Sequence, residues 1–211
     1  VSLEGARREY QYDSLTRESL KECPIDQFSC WMDQAINSKL SDPTAMSLAT
    51  SDSHSKPWQR TVLLKEFDKD GFVFYTNLKS RKAGEIENNP NVSLLFPWFS
   101  LDRQVIIGGS IEKISDIKAL NYFRKRPRAS QIAALTSKQS SKLLSRDDLV
   151  SEFSRLEKKY AEKEVPFPSW WGGYRVIPTE IEFWQGGKLR LHDRFQYLLI
   201  DNRWTISRLS P

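Results

Sequence analysis

A mainly β fold, a barrel of antiparallel strands with helices packed outside it, is what this chain predicts. Three observations carry that reading. Short apolar or alternating runs recur along most of the chain, turn-forming clusters such as SDSHSKP and DKDG separate them, and no repeat, linker or low-complexity stretch interrupts the 211 residues. Consecutive strands joined by short turns pair antiparallel, and helices gathered outside such a set point to a barrel. One domain over 1–211 is expected, with 1–22 as an N-terminal arm.

The elements follow in order. Pro24 opens an amphipathic helix predicted over 24–40, because proline at the first helical position gives up only an N–H that lacks a partner there. Phe28, Trp31, Met32 and Ala35 recur at helical spacing along it. Strands are predicted at 45–50, 58–67, 71–77, 92–99 and 103–114, with a helix at about 80–89 that stops at Asn89-Pro90. Alternation within the second strand puts Arg60, Val62 and Leu64 on one face and Thr61, Leu63 and Lys65 on the other. Three helices follow at about 116–125, 130–136 and 146–162, the last with Ser145-x-x-Asp148 as a capping box. Strands at about 173–184, 191–200 and 203–209 close the chain.

Near the C-terminus, EIEFWQGGKLRLHDRF (180–195) reads as a strand, a Gly186-Gly187 turn and a second extended run. On a strand, Arg190, His192 and Arg194 would share one face. Two guanidiniums flanking an imidazole suit an anionic or polarised ligand, and a solvated outer hairpin face would show the same spacing.

Composition narrows the function. With 39% hydrophobic and 28% charged residues the chain reads as soluble and globular, and no apolar run approaches a membrane span. The first twenty residues have no apolar core, so no secretory signal is expected. Cys23 and Cys30 form no CxxC or Cys/His cluster, so neither a metal nor a redox motif is expected, and reduced thiols in a cytoplasmic protein fit them. The net charge of +5 is spread among acidic residues, which argues against nucleic acid. The local clusters SRK (80–82), FRKRPR (123–128) and RLHDR suit small phosphorylated ligands better.

Two of these clusters sit at helix ends. Ser80-Arg81-Lys82 puts cations in a first helical turn, against the macrodipole, which makes sense if an anion is held by the free N–H groups. Exposed bases tolerated at a cost of ~0.3–1 kcal/mol each would look the same. Tyr122 and Arg126 are neighbours on one helical face, Pro127 ends that helix, and Ser130 reads as the N-cap of the next. A hydroxyl, an Arg fork and a helix N-terminus would together cradle a phosphate, although a capped helix–turn–helix with surface charge is the plainer alternative.

The block WQGxxxRLHDR resembles the C-terminal signature of the pyridoxine (pyridoxamine) 5'-phosphate oxidases. RTVLLKEFDKDGFVFYTNLKSRKAGEIENNPNVSLLFPW (60–98), LDRQV, YFRKRPRASQIAAL, SKQSS and SWWGGYRV resemble other blocks of that family, in the family's order. The resemblance implies an FMN-binding split barrel, a homodimer, and oxidation of the phosphorylated B6 vitamers with O2 reduced to H2O2. It implies FMN contacts at Arg60, Thr61, Val62, Leu63, Leu64, Lys65, Tyr75, Thr76, Arg81, Lys82, Gln104, Gln139, Ser140, Trp184 and Arg194. Substrate contacts are implied at Arg7, Arg8, Glu9, Tyr10, Lys65, Tyr122, Arg126, Ser130, Arg190, Leu191 and His192, with Arg190 and His192 nearest the chemistry. Ala133, Leu135 and Ser210 depart from the family's pattern at positions that are not implied ligands. A related split-barrel oxidase of phenazine biosynthesis and a non-catalytic flavin or pyridoxal-phosphate carrier are the rival readings.

Overall fold

In the computed structural model the described residues are 2, 4–5, 8–10 and 14–211. Arg7, implied as a substrate contact, lies outside them. All strand pairings are antiparallel and form one nine-stranded sheet. Its strands are β1 (Ala45–Ser51), β2 (Pro57–Leu63), β3 (Glu66–Asp68), β4 (Gly71–Asn77), β5 (Asn91–Trp98), β6 (Arg103–Lys113), β7 (Trp171–Gln185), β8 (Asp193–Ile200) and β9 (Arg203–Leu209). The order runs β2-β1-β5-β6-β7-β4-β3, with β8 and β9 continuing from β7.

The predicted strand at 58–67 divides into β2 and β3, and the division closes the barrel. Leu64 N–H donates to Thr44 O on the β1 side, while Lys65 N–H donates to Val73 O on β4, both at 2.9 Å. One peptide step thus passes from one sheet edge to the other. The alternation expected for 60–65 holds across it: Leu64 is buried, and Thr61, Leu63 and Lys65 are exposed. β7 is long enough to serve two partners on the edge away from β6, pairing with β4 through Trp171–Val176 and with β8 through Glu180–Gln185. A register shift at Gly108/Gly109 bends the β6–β7 ladder. A Cβ on Gly109 would sit 2.0 Å from Ile177 O, so the bulge needs glycine.

The helix α1 (Pro24–Asn37) starts at Pro24 as expected and ends before the predicted boundary, with Lys39 in the left-handed region just beyond. Its apolar stripe fills the barrel. Phe28 is fully buried, with ring centroids 5.0 Å from those of Phe67, Phe72 and Phe96. Burying a side chain of this size contributes ~1.5–3 kcal/mol. A second apolar cluster lies outside the barrel, where Val73 and Trp171 meet Ala119 and Phe123 of α3 (Asp116–Lys125), Ile132 of α4 (Arg128–Thr136) and Leu156 of α5 (Arg146–Lys159). That packing holds the end of α3, with Tyr122 and Arg126, against β4.

Three local expectations need correction. Pro127, not Ser130, is the N-cap of α4, and Ser130 N–H donates to Pro127 O at 2.9 Å inside the first turn. Proline suits the cap because its extended ψ of 142° precedes the helix and it has no N–H to satisfy. Ser145 does cap α5, but through Asp147 N–H rather than through a box with Asp148. The third correction bears on the site. Residues 190–192 are not strand: Lys188–Arg190 form a 3-10 turn with Leu189 and Arg190 at φ 54° and 64°, and β8 begins only at Asp193. Period-two alternation therefore does not relate Arg190, His192 and Arg194.

Candidate active site

Between β2 and β4, under the end of α3 and the start of the loop after α4, lies a cavity of about 480 Å³. Arg60, Thr61, Val62, Leu63, Lys65, Tyr75, Thr76, Lys82, Tyr122, Arg126 and Gln139 line it, as do Asn77, Ala133, Ala134, Ser137 and Trp171. Leu64 instead faces the core, and Arg81, Ser130 and Ser140 stand outside the lining, Arg81 next to the lining residue Lys82 and Ser140 in the adjoining loop at φ 71°.

Lys82 is buried in the first turn of α2 (Arg81–Asn88), with Ser80 at the N-cap position but without a side-chain capping bond. Its ammonium donates to Thr76 Oγ1 at 3.1 Å, Ser80 Oγ at 3.2 Å and Gln139 Oε1 at 2.8 Å, all neutral oxygens. Burial, and then the charge of Arg60, lower its pKa to about 8. Arg60 donates to Leu48 O at 3.2 Å, to Thr50 Oγ1, and to Glu85 Oε2 at 2.9 Å. Arg81 donates from Nε to Glu85 Oε1 at 2.7 Å and lies 3.4 Å over the Trp58 ring.

The other part of the cavity wall is aromatic. Tyr75 and Tyr122 stack with centroids 3.9 Å apart and planes 9° from parallel, and Trp171 continues the stack 5.3 Å from Tyr75. Tyr75 donates its hydroxyl to Glu66 Oε1 at 3.0 Å, and Lys118 pairs with the same carboxylate at 2.7 Å. Burial and then that hydrogen bond push the Tyr75 phenol well above its ordinary range. Arg126 lies over Trp171, and its Nη1 is, among the described residues, the one buried side-chain nitrogen or oxygen without a hydrogen-bond partner. Burial lowers its pKa, with Tyr122 opposing. An uncompensated guanidinium in such a place is costly unless an anion meets it.

The remaining predicted residues form a second group. Gln104, Trp184 and Arg194 stand opposite one another across β6, β7 and β8, so they share one row on one face of the sheet. Glu182 holds Arg194 through two bonds of 2.7 and 2.9 Å. The turn at 187–190 folds His192 back until its ring centroid is 4.7 Å from that of Trp184. Gly187 N–H donates to His192 Nδ1 at 3.1 Å, which puts the ring proton on Nε2. Burial and then the Arg190 charge lower the pKa of His192. Tyr10 caps the group, edge-on to Trp184 and His192, with Arg8 and Arg190 each over its ring. Arg8 also donates to Phe99 O at 2.8 Å and pairs with the buried Asp102. Glu9 and Leu191 are exposed. None of this second group lines the cavity.

The family described as pyridoxamine 5'-phosphate oxidase matches residues 32–182, and a pyridoxine 5'-phosphate oxidase C-terminal dimerisation region matches 171–211. A pyridoxine/pyridoxamine 5'-phosphate oxidase of Vibrio parahaemolyticus is 53% identical over 211 residues, covering all of both chains. This chain belongs to the pyridoxine/pyridoxamine 5'-phosphate oxidase family. The Vibrio cholerae member is 52% identical, again over both full lengths. Among solved structures, PhzG from Burkholderia lata, in complex with tetrahydrophenazine-1-carboxylic acid, superposes with a TM-score of 0.90 at 27% identity, covering 95% of this chain and 99% of that one. A pyridoxamine 5'-phosphate oxidase-related, FMN binding protein of Nostoc punctiforme shares the fold, with a TM-score of 0.73 at 15% identity over 91% of this chain and 100% of its own. As an oxidase-family fold the molecule is a split barrel, mainly antiparallel β with peripheral helices.

Asn77, Ser137 and Trp171 of the lining, and Glu85 beside it, are not among the residues expected from the sequence. Glu85 follows Arg81 by four residues, a spacing that puts the two on one helical face. Trp171 carried no local mark beyond its place in the SWWGG run.

Proposed function

We propose that the chain is an FMN-dependent oxidase that converts pyridoxamine 5'-phosphate and pyridoxine 5'-phosphate to pyridoxal 5'-phosphate. The observation that carries this reading is the pair of under-compensated cations on one cavity wall. Lys82 is held by neutral oxygens alone, and Arg126 keeps a buried nitrogen unpartnered. Two phosphates, one of the cofactor and one of the substrate, suit two such sites. Arg60, Arg81, Lys82 and Gln139 would hold the FMN phosphate, with Ser140 beside them and the 61–65 backbone along the flavin. Lys65, Tyr122, Arg126 and Ser130 would hold the substrate phosphate.

Bound FMN would supply the redox chemistry, accepting a hydride from the substrate and passing the electrons to O2 with formation of H2O2. The chain's part is position and charge. Arg190 would orient the substrate ring through its guanidinium, which offers donors and no acceptor. His192, neutral and protonated on Nε2, would donate a hydrogen bond from that atom. The aromatic stack of Tyr75, Tyr122 and Trp171 backs the Arg126 guanidinium, which lies over Trp171.

The second group reaches the cavity, in this reading, from a partner subunit. Trp184, Arg190, His192 and Arg194 all fall within the matched dimerisation region, and a homodimer would bring this group to the other chain's cavity. Each chain would act as one domain throughout. A cytoplasmic location completes the reading; both cysteines are free thiols, and no helix among the described residues is long and apolar enough to cross a membrane. The likeness to PhzG keeps a phosphate-free ring acid in view; its carboxylate would also meet the Arg126 fork, so turnover of the phosphate ester decides between the two.

The test is peroxide production by FMN-loaded protein given pyridoxine 5'-phosphate or pyridoxine. Turnover of the phosphate ester, with the unphosphorylated alcohol at least tenfold poorer, is expected if one charged contact contributes about 1.5 kcal/mol or more. No turnover of either, with flavin tightly retained, would favour the carrier.

A further inference from the structure

We propose that Glu85 is the positioning residue of the cofactor-phosphate cluster, its carboxylate holding Arg60 and Arg81 side by side so that both meet one anion. The inference rests on the reading above that this cluster holds the FMN phosphate.

Glu85 is 4% exposed on the inner face of α2. Its two oxygens divide the work. Oε1 accepts from Arg81 Nε at 2.7 Å, while Oε2 accepts from Arg60 Nη2 at 2.9 Å and from the Thr50 hydroxyl. Three elements, β1, β2 and α2, are thereby tied at one carboxylate. Burial would raise the Glu85 carboxyl, but hydrogen bonds from Thr50, Arg81 and Arg60 outweigh it and hold the group below the ordinary carboxylate range. The group is therefore ionised at neutral pH.

The geometry leaves each arginine with capacity to spare. The bond to Glu85 uses Nε of Arg81, so its two terminal nitrogens lie outside that contact. Trp58 beneath the guanidinium fixes its plane. Without the carboxylate, Arg60, Arg81 and the neighbouring Lys82 would repel one another and spread. With it, three cations and one carboxylate leave a net +2, which matches a phosphate dianion. Preorganised charge of this kind costs no rearrangement when the anion arrives.

The experiment compares FMN with riboflavin on the full chain stripped of flavin, by fluorescence quenching. Wild type should bind FMN more tightly than riboflavin. Glu85→Leu should weaken FMN about tenfold or more, the size of a lost charge-assisted contact, and leave riboflavin within about threefold. Glu85→Gln should restore most of the loss, because an amide oxygen still accepts from Arg60 while Trp58 retains Arg81. Equal weakening of both flavins by Glu85→Leu would mean a merely structural role, and unchanged or tighter FMN would mean a carboxylate that only opposes the phosphate. Either result overturns the proposal but leaves the site reading standing. Equal binding of FMN and riboflavin by wild type would overturn both. Should Glu85→Leu not fold, Thr50→Val removes, at nearly constant volume, the hydroxyl that accepts from Arg60 and donates to the same carboxylate, and with it the link between the two. A loss of about three- to tenfold specific to FMN is then expected, and no FMN-specific loss overturns the proposal.

Discussion

The guanidinium carbon of Arg126 lies 4.9 Å from the ring centroid of Trp171, and one of its terminal nitrogens is buried without a partner. The ring attracts the cation by ~0.5–2 kcal/mol, but it offers no lone pair to the N–H groups. A phosphate would supply both charge and acceptors. Arg126→Met should therefore lower kcat/KM for pyridoxine 5'-phosphate by roughly 10- to 150-fold, the equivalent of ~1.5–3 kcal/mol, mostly through KM. FMN affinity should stay within about threefold. Steady-state kinetics paired with FMN titration separate the two, and a variant that loses FMN first would contradict the assignment.

Lys82 predicts a pH dependence. With its pKa lowered to about 8, the flavin-free chain loses this charge as pH rises through 8. A bound phosphate, already dianionic above its own pKa near 6, favours the ammonium and raises the lysine pKa in the complex. FMN binding must then take up a proton, and affinity should fall above about pH 8 by up to about tenfold per unit. Lys82→Met should bind FMN weakly at every pH and show no such decline. Titrations at pH 7, 8, 9 and 10 check this, and an affinity that rises over that range would reverse the sign.

Arg190 and His192 should separate substrate handling from cofactor handling. Arg190→Met should reduce kcat/KM by roughly one to two orders of magnitude while FMN affinity holds. His192→Asn should do less, because an amide replaces the donor. Since burial and then the Arg190 charge lower the His192 pKa, Arg190→Met should also move the imidazole midpoint upward, with burial still keeping it below its ordinary value. A histidine NMR titration reads this directly. Arg194→Ala belongs with the cofactor and should weaken FMN.

Dimerisation is the fourth expectation. The chain presents the row Gln104, Trp184 and Arg194 away from its own cavity. Sedimentation of the FMN-loaded protein at micromolar concentration should give a dimer, and an FMN-loaded monomer would contradict the two-chain site.

Much of this was legible in local pattern. Alternation placed Arg60 and Val62 opposite Thr61 and Leu63, and helical spacing paired Tyr122 with Arg126 at the end of α3. The turn at 187–190 was not legible, because Leu189 and Arg190 adopt left-handed backbone without the glycine that usually marks it. Ser130 was misread as a cap because proline, usually the residue after a cap, serves as the cap here. The alignment of Gln104 with Trp184 depends on register between strands about eighty residues apart, which no window of sequence contains. Residue roles came from resemblance to a family, and geometry then grouped those residues into two sets.

The most direct measurement is anaerobic mixing of FMN-loaded protein with pyridoxine 5'-phosphate while the flavin band near the visible is followed. Stoichiometric bleaching, with recovery on admitting O2 and release of peroxide and pyridoxal 5'-phosphate, is the predicted result. A flavin that stays oxidised with both phosphorylated vitamers, in a protein that holds FMN and is dimeric, would contradict the account.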